Sequence, residues 1–254
     1  IDVAYSEAVL TEAEFEESEE DTLTAEQVAE LKRLNYGVHA ASRLPGNIGY
    51  LDIHAFPPAE AAAPKYAAAM SLLSDTKALI IDLRANHGGQ PEAVALLASY
   101  LFDKRTHLND IYLRNGNQTI EMWTQDTLAG PRYGGQRKVY LLTSEDTFSA
   151  GEDFAYALKN LKRATLIGKA TGGGAHPGSP HRINQHFAMI VPSGRSISPI
   201  TKTDWEGTGV LPAIEMDPDD ALVQAQILIL KDQLATEKNP QVHESLAARL
   251  GELE

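Results

Sequence analysis

The chain has 254 residues, enough for one sizeable α/β core without disulfide or metal staples. Its 22 basic against 35 acidic residues leave a net charge of −13, which argues against nucleic acid as a partner, since phosphate contacts need clustered Lys and Arg. Hydrophobic residues make up 43%, an ordinary globular value; no apolar run is long enough to span a bilayer, and the absence of cysteine removes disulfides while leaving the redox compartment open.

In chain order, residues 1 to about 45 read as a peripheral acidic arm with a helix near Ala25–Leu34. Much of the excess charge falls here, in Glu7, Glu12, Glu14, Glu16, Glu17, Glu19, Glu20, Asp21, Glu26 and Glu30, as in a solvated helix or a mobile linker. Pro45-Gly46-Asn47 marks a boundary. Ile48 to Phe56 reads as a strand ended by Pro57-Pro58, and Ala61 to Leu73 as a helix with Pro64 in its first turn. The apolar run Ala78 to Leu83 suits a strand buried on both faces. The paired glycines Gly88 and Gly89 then precede a helix opened by Pro91 and running to about Leu101. Leu108–Leu113 and Thr119–Trp123 look like a hairpin about Asn115-Gly116-Asn117. Lys138 to Thr143 is a second buried strand, Ala150 to Leu161 a helix, and residues 164–167 a further strand. Phe187–Val191 and Arg195–Ser198 read as another hairpin across Pro192-Ser193-Gly194. Ala221–Leu230 is a helix with an apolar face, and Asn239-Pro240 starts a last amphipathic one. The division expected is an arm (1–45), a core (46–232) and a C-terminal helix (233–254). Alternating strands and helices argue an α/β layered fold.

Ser149 stands on the corner between the strand ending at Thr143 and the helix starting at Ala150. Its hydroxyl would face unpaired N–H groups that stabilise negative charge, a nucleophile-plus-oxyanion arrangement. The same position also suits a plain helix N-cap. The N–H groups of a Gly88-Gly89 turn can point at an oxyanion or a substrate carbonyl, or the turn can be merely tight. No histidine pair has helical i, i+4 spacing beside an acid, so the pattern holds no metal-ligand signature.

Four blocks in order carry a family resemblance over roughly Leu44 to Leu230. Asp82-Leu83-Arg84-x-Asn86-x-Gly88-Gly89 resembles a signature of the S41 peptidases, the tail-specific or C-terminal-processing serine proteases. Thr143-Ser144-x-x-Thr147-Phe148-Ser149-Ala150-Gly151-Glu152 resembles their nucleophile segment. Leu161 to Gly168 with Thr171-Gly172-Gly173-Gly174-Ala175-His176-Pro177, and then Trp205-Glu206-Gly207-Thr208-Gly209-Val210-x-Pro212, continue it. The Gly-Gly-Gly-Ala-His-Pro variant is similar to the branch of the interphotoreceptor retinoid-binding protein and the tricorn core.

The resemblance implies a ClpP/crotonase-like spiral of ββα units, and peptide-bond hydrolysis on a peptide or protein substrate with no cofactor. About 20 residues between Phe56 and Ala78 leave no room for the PDZ domain many relatives carry there. It implies Ser149 as nucleophile, the N–H groups of Gly88 or Gly89 and of Ala150 as the oxyanion site, and Glu206 as the acid that orients a histidine base. One branch uses a lysine at the end of the glycine-rich motif. Gly174 holds that place here and Lys169 lies too early, so a Ser–Lys dyad is not expected. In the other branch the histidine belongs to a His-Leu-x-Val segment that Ile1-Asp2-Val3 would continue, which puts the expected base just before Ile1. Of the eight histidines present, His176 is the best stand-in as base or substrate contact; His54, His87 and His181 lie near motifs, and His39, His107, His186 and His243 do not. Relatives that act outside the cytoplasm and self-associate make a periplasmic or secreted homo-oligomer an expectation. The alternative is a non-catalytic binding module for an apolar, retinoid-like ligand.

Overall fold

A computed structural model describes residues 2–15 and 23–254; the acidic residues between them, including Glu16 to Asp21, lie outside the described part. The chain begins with strand β1 (Asp2–Tyr5), helix α1 (Ala25–Arg33) and strands β2 (Val38–Leu44) and β3 (Ile48–Ile53). Helix α2 (Ala59–Leu73), strand β4 (Ala78–Asp82) and helix α3 (Pro91–Ser99) follow, then the hairpin of β5 (His107–Leu113) and β6 (Gln118–Trp123). Strand β7 (Val139–Thr143), helix α4 (Ala150–Asn160) and strand β8 (Thr165–Gly168) lead to β9 (Gly178–Arg182), β10 (Phe187–Pro192), β11 (Gly194–Ile197) and β12 (Ile214–Glu215). Helices α5 (Pro218–Leu234) and α6 (Pro240–Leu253) close the chain.

The main sheet has six strands in the order β12-β8-β7-β4-β3-β2, parallel except for the β2–β3 pair. Helices cover both faces, which explains the continuous apolar runs in β4 and β7. Leu79, Ile81, Val139 and Leu141 enter the core shared with α2, α3 and α4, while Ala78, Ile80, Tyr140 and Leu142 pack toward α5 and α6. Strand alternation thus divides one buried sheet between two cores. The α/β reading holds, with β3–α2, β4–α3 and β7–α4 as its successive strand–helix turns. The residues after β4 and β7, at the carboxyl ends of central parallel strands, carry the Gly88-Gly89 loop and Ser149, where open α/β sheets place ligands.

Two features differ from the sequence reading. Pro45-Gly46-Asn47 is the turn of an antiparallel hairpin, and Val38–Leu44 before it forms the edge strand of the main sheet. Phe187–Pro192 and Gly194–Ile197 are not a hairpin: β10 lies between β1 and β9, whereas β11 pairs with β5 in a third sheet, β11-β5-β6. The Ser193 and Gly194 N–H groups both donate to the Pro177 carbonyl, so the turn-like residues carry the chain from one sheet to another.

Candidate active site

Ser149 occupies the N-cap of α4 with φ 53° and ψ −116°, a left-handed conformation that costs a non-glycine residue about 1–3 kcal/mol. The surroundings hold it there. Phe148 N–H donates to the Asn86 carbonyl at 2.9 Å, and the Thr147 hydroxyl donates to the Leu83 carbonyl at 2.8 Å. Asn86 is fully buried; its amide donates to the Ile53 carbonyl at 2.9 Å and accepts from Gly88 N–H at 3.0 Å. One asparagine therefore ties the end of β3, the glycine loop and the nucleophile corner together. Asp82 and Arg84, the motif's charged pair, form a forked ion pair whose guanidinium also donates to the Pro218 carbonyl. They brace the loop rather than face the site.

Glu152 is the brace that the sequence reading did not single out. It is fully buried, and its two oxygens accept four hydrogen bonds, from Ser149 N–H at 2.9 Å, Gly174 N–H at 2.8 Å, Gly173 N–H at 2.7 Å and the Thr171 hydroxyl at 2.5 Å. Ser149 and Glu152 make a capping-box arrangement in which the bond of good geometry is the one from Ser149 N–H. A serine followed three residues later by glutamate is the sequence signal of that box.

The glycine pair divides its work. A Cβ on Gly88 would lie 2.7 Å from Ser149 Cβ, so the loop backbone presses directly on the nucleophile. Its N–H is already given to Asn86, which removes Gly88 from the expected oxyanion donors. Gly89 lines the pocket, and among the described residues neither its N–H nor that of Ala150 has a hydrogen-bond partner. These two N–H groups are the available pair of donors beside Ser149.

Ser149, Gly89, Ala150, His176 and Glu206 line one cavity of about 430 Å³. Its other walls are mainly apolar, with Ile111, Phe148, Ile190 and Trp205. Glu206 Oε2 accepts from the backbone N–H of Ala175 at 2.7 Å and of His176 at 3.1 Å, which fixes the carboxylate at the pocket. The His176 ring lies between two acids, with Nε2 3.3 Å from Asp204 and Nδ1 3.8 Å from Glu206. Nε2 hydrogen-bonds the Asp204 carboxylate, whereas Nδ1 faces Glu206 at a distance too long for a hydrogen bond.

The structure separates the lysines from the site. A Cβ on Gly174 would meet the Phe148 ring at 2.3 Å, so a larger residue in that place requires the half-exposed ring to move. Lys169 pairs with Glu145 at 3.0 Å on the surface. A further cluster lies on β2 and β3, where His39, Asp52 and His54 each offer an atom within 4.8 Å of the others. Chain spacing does not reveal it, because a bulge at His39 and the hairpin bring the three together. Asp52 is pushed up by burial and by the charge of Asp82. Its Oδ1 lies 3.1 Å from His54 Nε2, and the His39 and His54 imidazoles stack at 4.3 Å and 6°. Their in-plane lone pairs therefore run side by side, and a metal ion would need at least one ring to turn.

A sequence model of peptidase family S41 matches residues 47–216. The chain belongs to peptidase family S41. A chloroplastic carboxyl-terminal-processing peptidase 2 of Arabidopsis thaliana is 29% identical over 206 residues, which cover 75% of this chain and 36% of that protein. The chain thus spans about a third of that relative's length. Among solved structures, a photosystem II D1 C-terminal processing protease aligns with a TM-score of 0.52 at 23% identity, covering 72% of this chain and 47% of the other. A lipoprotein from Streptococcus agalactiae aligns at 0.60 with 18% identity, covering 83% and 75%. These likenesses show the S41 protease fold.

Proposed function

We propose that this S41 chain is the catalytic core of a serine-type peptidase with a Ser–His–Glu relay. The observation that carries the reading is the strained Ser149, held over the first turn of α4 in the same cavity as two unpartnered N–H groups and the Glu206 carboxylate. Ser149 Oγ attacks the scissile carbonyl, and the N–H groups of Gly89 and Ala150 receive the developing oxyanion. Removing one such donor typically lowers the rate roughly 100- to 1000-fold. A histidine takes the serine proton and returns it to the leaving amine, while Glu206 holds that imidazole in the right tautomer.

The base we assign is the residue expected before Ile1. In support, β1 runs antiparallel to β10 with Asp2 opposite Ile190, and both Ile190 and Pro192 line the cavity. His176, whose Nε2 is hydrogen-bonded to Asp204, instead borders the substrate.

The test is hydrolysis of an unstructured protein such as casein by the full-length protein and by its Ser149→Ala variant. The reading expects proteolysis that the substitution abolishes. No proteolysis, together with saturable retinol binding, would instead favour the apolar-ligand module, for which the cavity's apolar walls speak.

A further inference from the structure

The cavity beside Ser149 is mainly apolar along its walls. Asp153, one turn into α4, lines it and is 6% exposed. Its Oδ1 is fully buried and makes no hydrogen bond of good geometry. Asn109 on β5 is 2% exposed; neither of its amide atoms makes a hydrogen bond of good geometry, and it stands as a hydrogen-bonding neighbour of Asp153. Residues two apart on a strand share a face, so Asn109 lies on the same side of β5 as Ile111, which lines the cavity. The Asp153 carboxylate thus stands buried at the cavity with one oxygen that makes no hydrogen bond of good geometry, a state that costs about 1–3 kcal/mol, and Asn109 is the one side chain that acts on it. A cationic group that arrives with the substrate would satisfy it.

We propose that Asp153 forms a specificity subsite that accepts a lysine-type side chain of the substrate, its stem along the apolar cavity wall of Ile111 and Phe148 and its ammonium at the Asp153 carboxylate. This rests on the peptidase reading of Ser149. A buried carboxylate is costly unless a positive charge joins it. Burial pushes Asp153 up to about 7, with Asn109 alone opposing, so the carboxyl is poised to give up its proton when a cation enters. The other titratable groups lining this cavity are His176 and Glu206. The chain's net charge of −13 would also draw cationic segments toward it.

Two diphenyl aminoalkylphosphonates test the subsite, one with a 4-aminobutyl side chain and one with the equally long, apolar pentyl chain. Both are reacted with the full-length protein and its Asp153→Asn variant, and adducts on Ser149 are timed by mass spectrometry, with melting curves as the check on folding. The ratio of the two rates is the readout. We expect the aminobutyl probe to react about 10-fold faster or more with the native protein, and this advantage to shrink to about two-fold or less in D153N. Equal rates in the native protein, or a ratio unchanged in D153N, overturn the subsite and leave the peptidase reading standing. Labelling of Ser149 by neither probe counts against the peptidase reading instead. Calorimetric titration with N-acetyl-lysine and N-acetyl-norleucine methylamides then decides the subsite. Tighter lysine binding that is lost in D153N supports it, and equal binding overturns it.

Discussion

The two sides of the cavity are built differently. On the nucleophile side the bracing residues Asn86, Thr147 and Glu152 are fully buried, and each is tied by hydrogen bonds to at least two segments. On the facing side, Ile190 and Pro192 belong to the small sheet β1-β10-β9, where Val3, Tyr5, Phe187 and Ile190 are exposed. The contrast separates two tasks. The corner that strains Ser149 must be rigid, because a left-handed serine persists only when its surroundings over-determine it. The facing sheet has only to shape the cleft and deliver residues to its rim.

The comparison can be broken at several points. Ser149→Ala is expected to have the largest effect, lowering the rate of peptide hydrolysis by roughly 10³- to 10⁶-fold with an unchanged melting temperature. Glu206→Gln should lower kcat by roughly 10²- to 10⁴-fold, because the relay loses its orienting charge. Glu152→Gln attacks the rigid side itself. A carboxamide nitrogen would meet two N–H or O–H donors, and the fold should lose about 2–5 kcal/mol in denaturant unfolding. If E152Q unfolds like the native protein, the corner is not braced as described.

A smaller effect concerns Asp153. Its carboxyl is raised from 3.8 to about 7, so the folded state holds a proton that the unfolded chain releases. Stability from this group is fully present below about pH 4 and is lost as pH rises through 7. Asp153→Asn lacks that titration, so the stability of the variant relative to the native protein should rise by about 1–3 kcal/mol between pH 5 and pH 8. A difference that stays constant with pH would show that Asp153 titrates normally. Ile190→Ala, on the facing sheet, should change KM by less than about 10-fold and leave global stability within about 0.5 kcal/mol.

Much of this was readable in the sequence, for identifiable reasons. β4 and β7 are continuous apolar runs because both faces are covered, and Ser149 and Gly88-Gly89 follow them directly. β2 was not legible, since Val38-His39-Ala40-Ala41-Ser42-Arg43-Leu44 has no clean alternation and most of its residues are only half-buried. Pro192-Ser193-Gly194 has turn chemistry, but the pairing of β11 with β5 depends on residues some 80 positions away. Asp153 reads as an ordinary acidic residue in a helix's first turn. Its burial comes from β5 packing on α4, which no local pattern announces. Glu152 did carry a local signal, the capping-box spacing after Ser149, though its bonds to Thr171, Gly173 and Gly174 arise only in three dimensions.

The most direct test of the central claim is a fluorophosphonate probe with the adduct located by mass spectrometry, applied to the protein and to its Ser149→Ala variant. The account predicts a single adduct on Ser149 in the native protein and none in the variant. An adduct on another serine, or none in the native protein, would contradict Ser149 as the nucleophile.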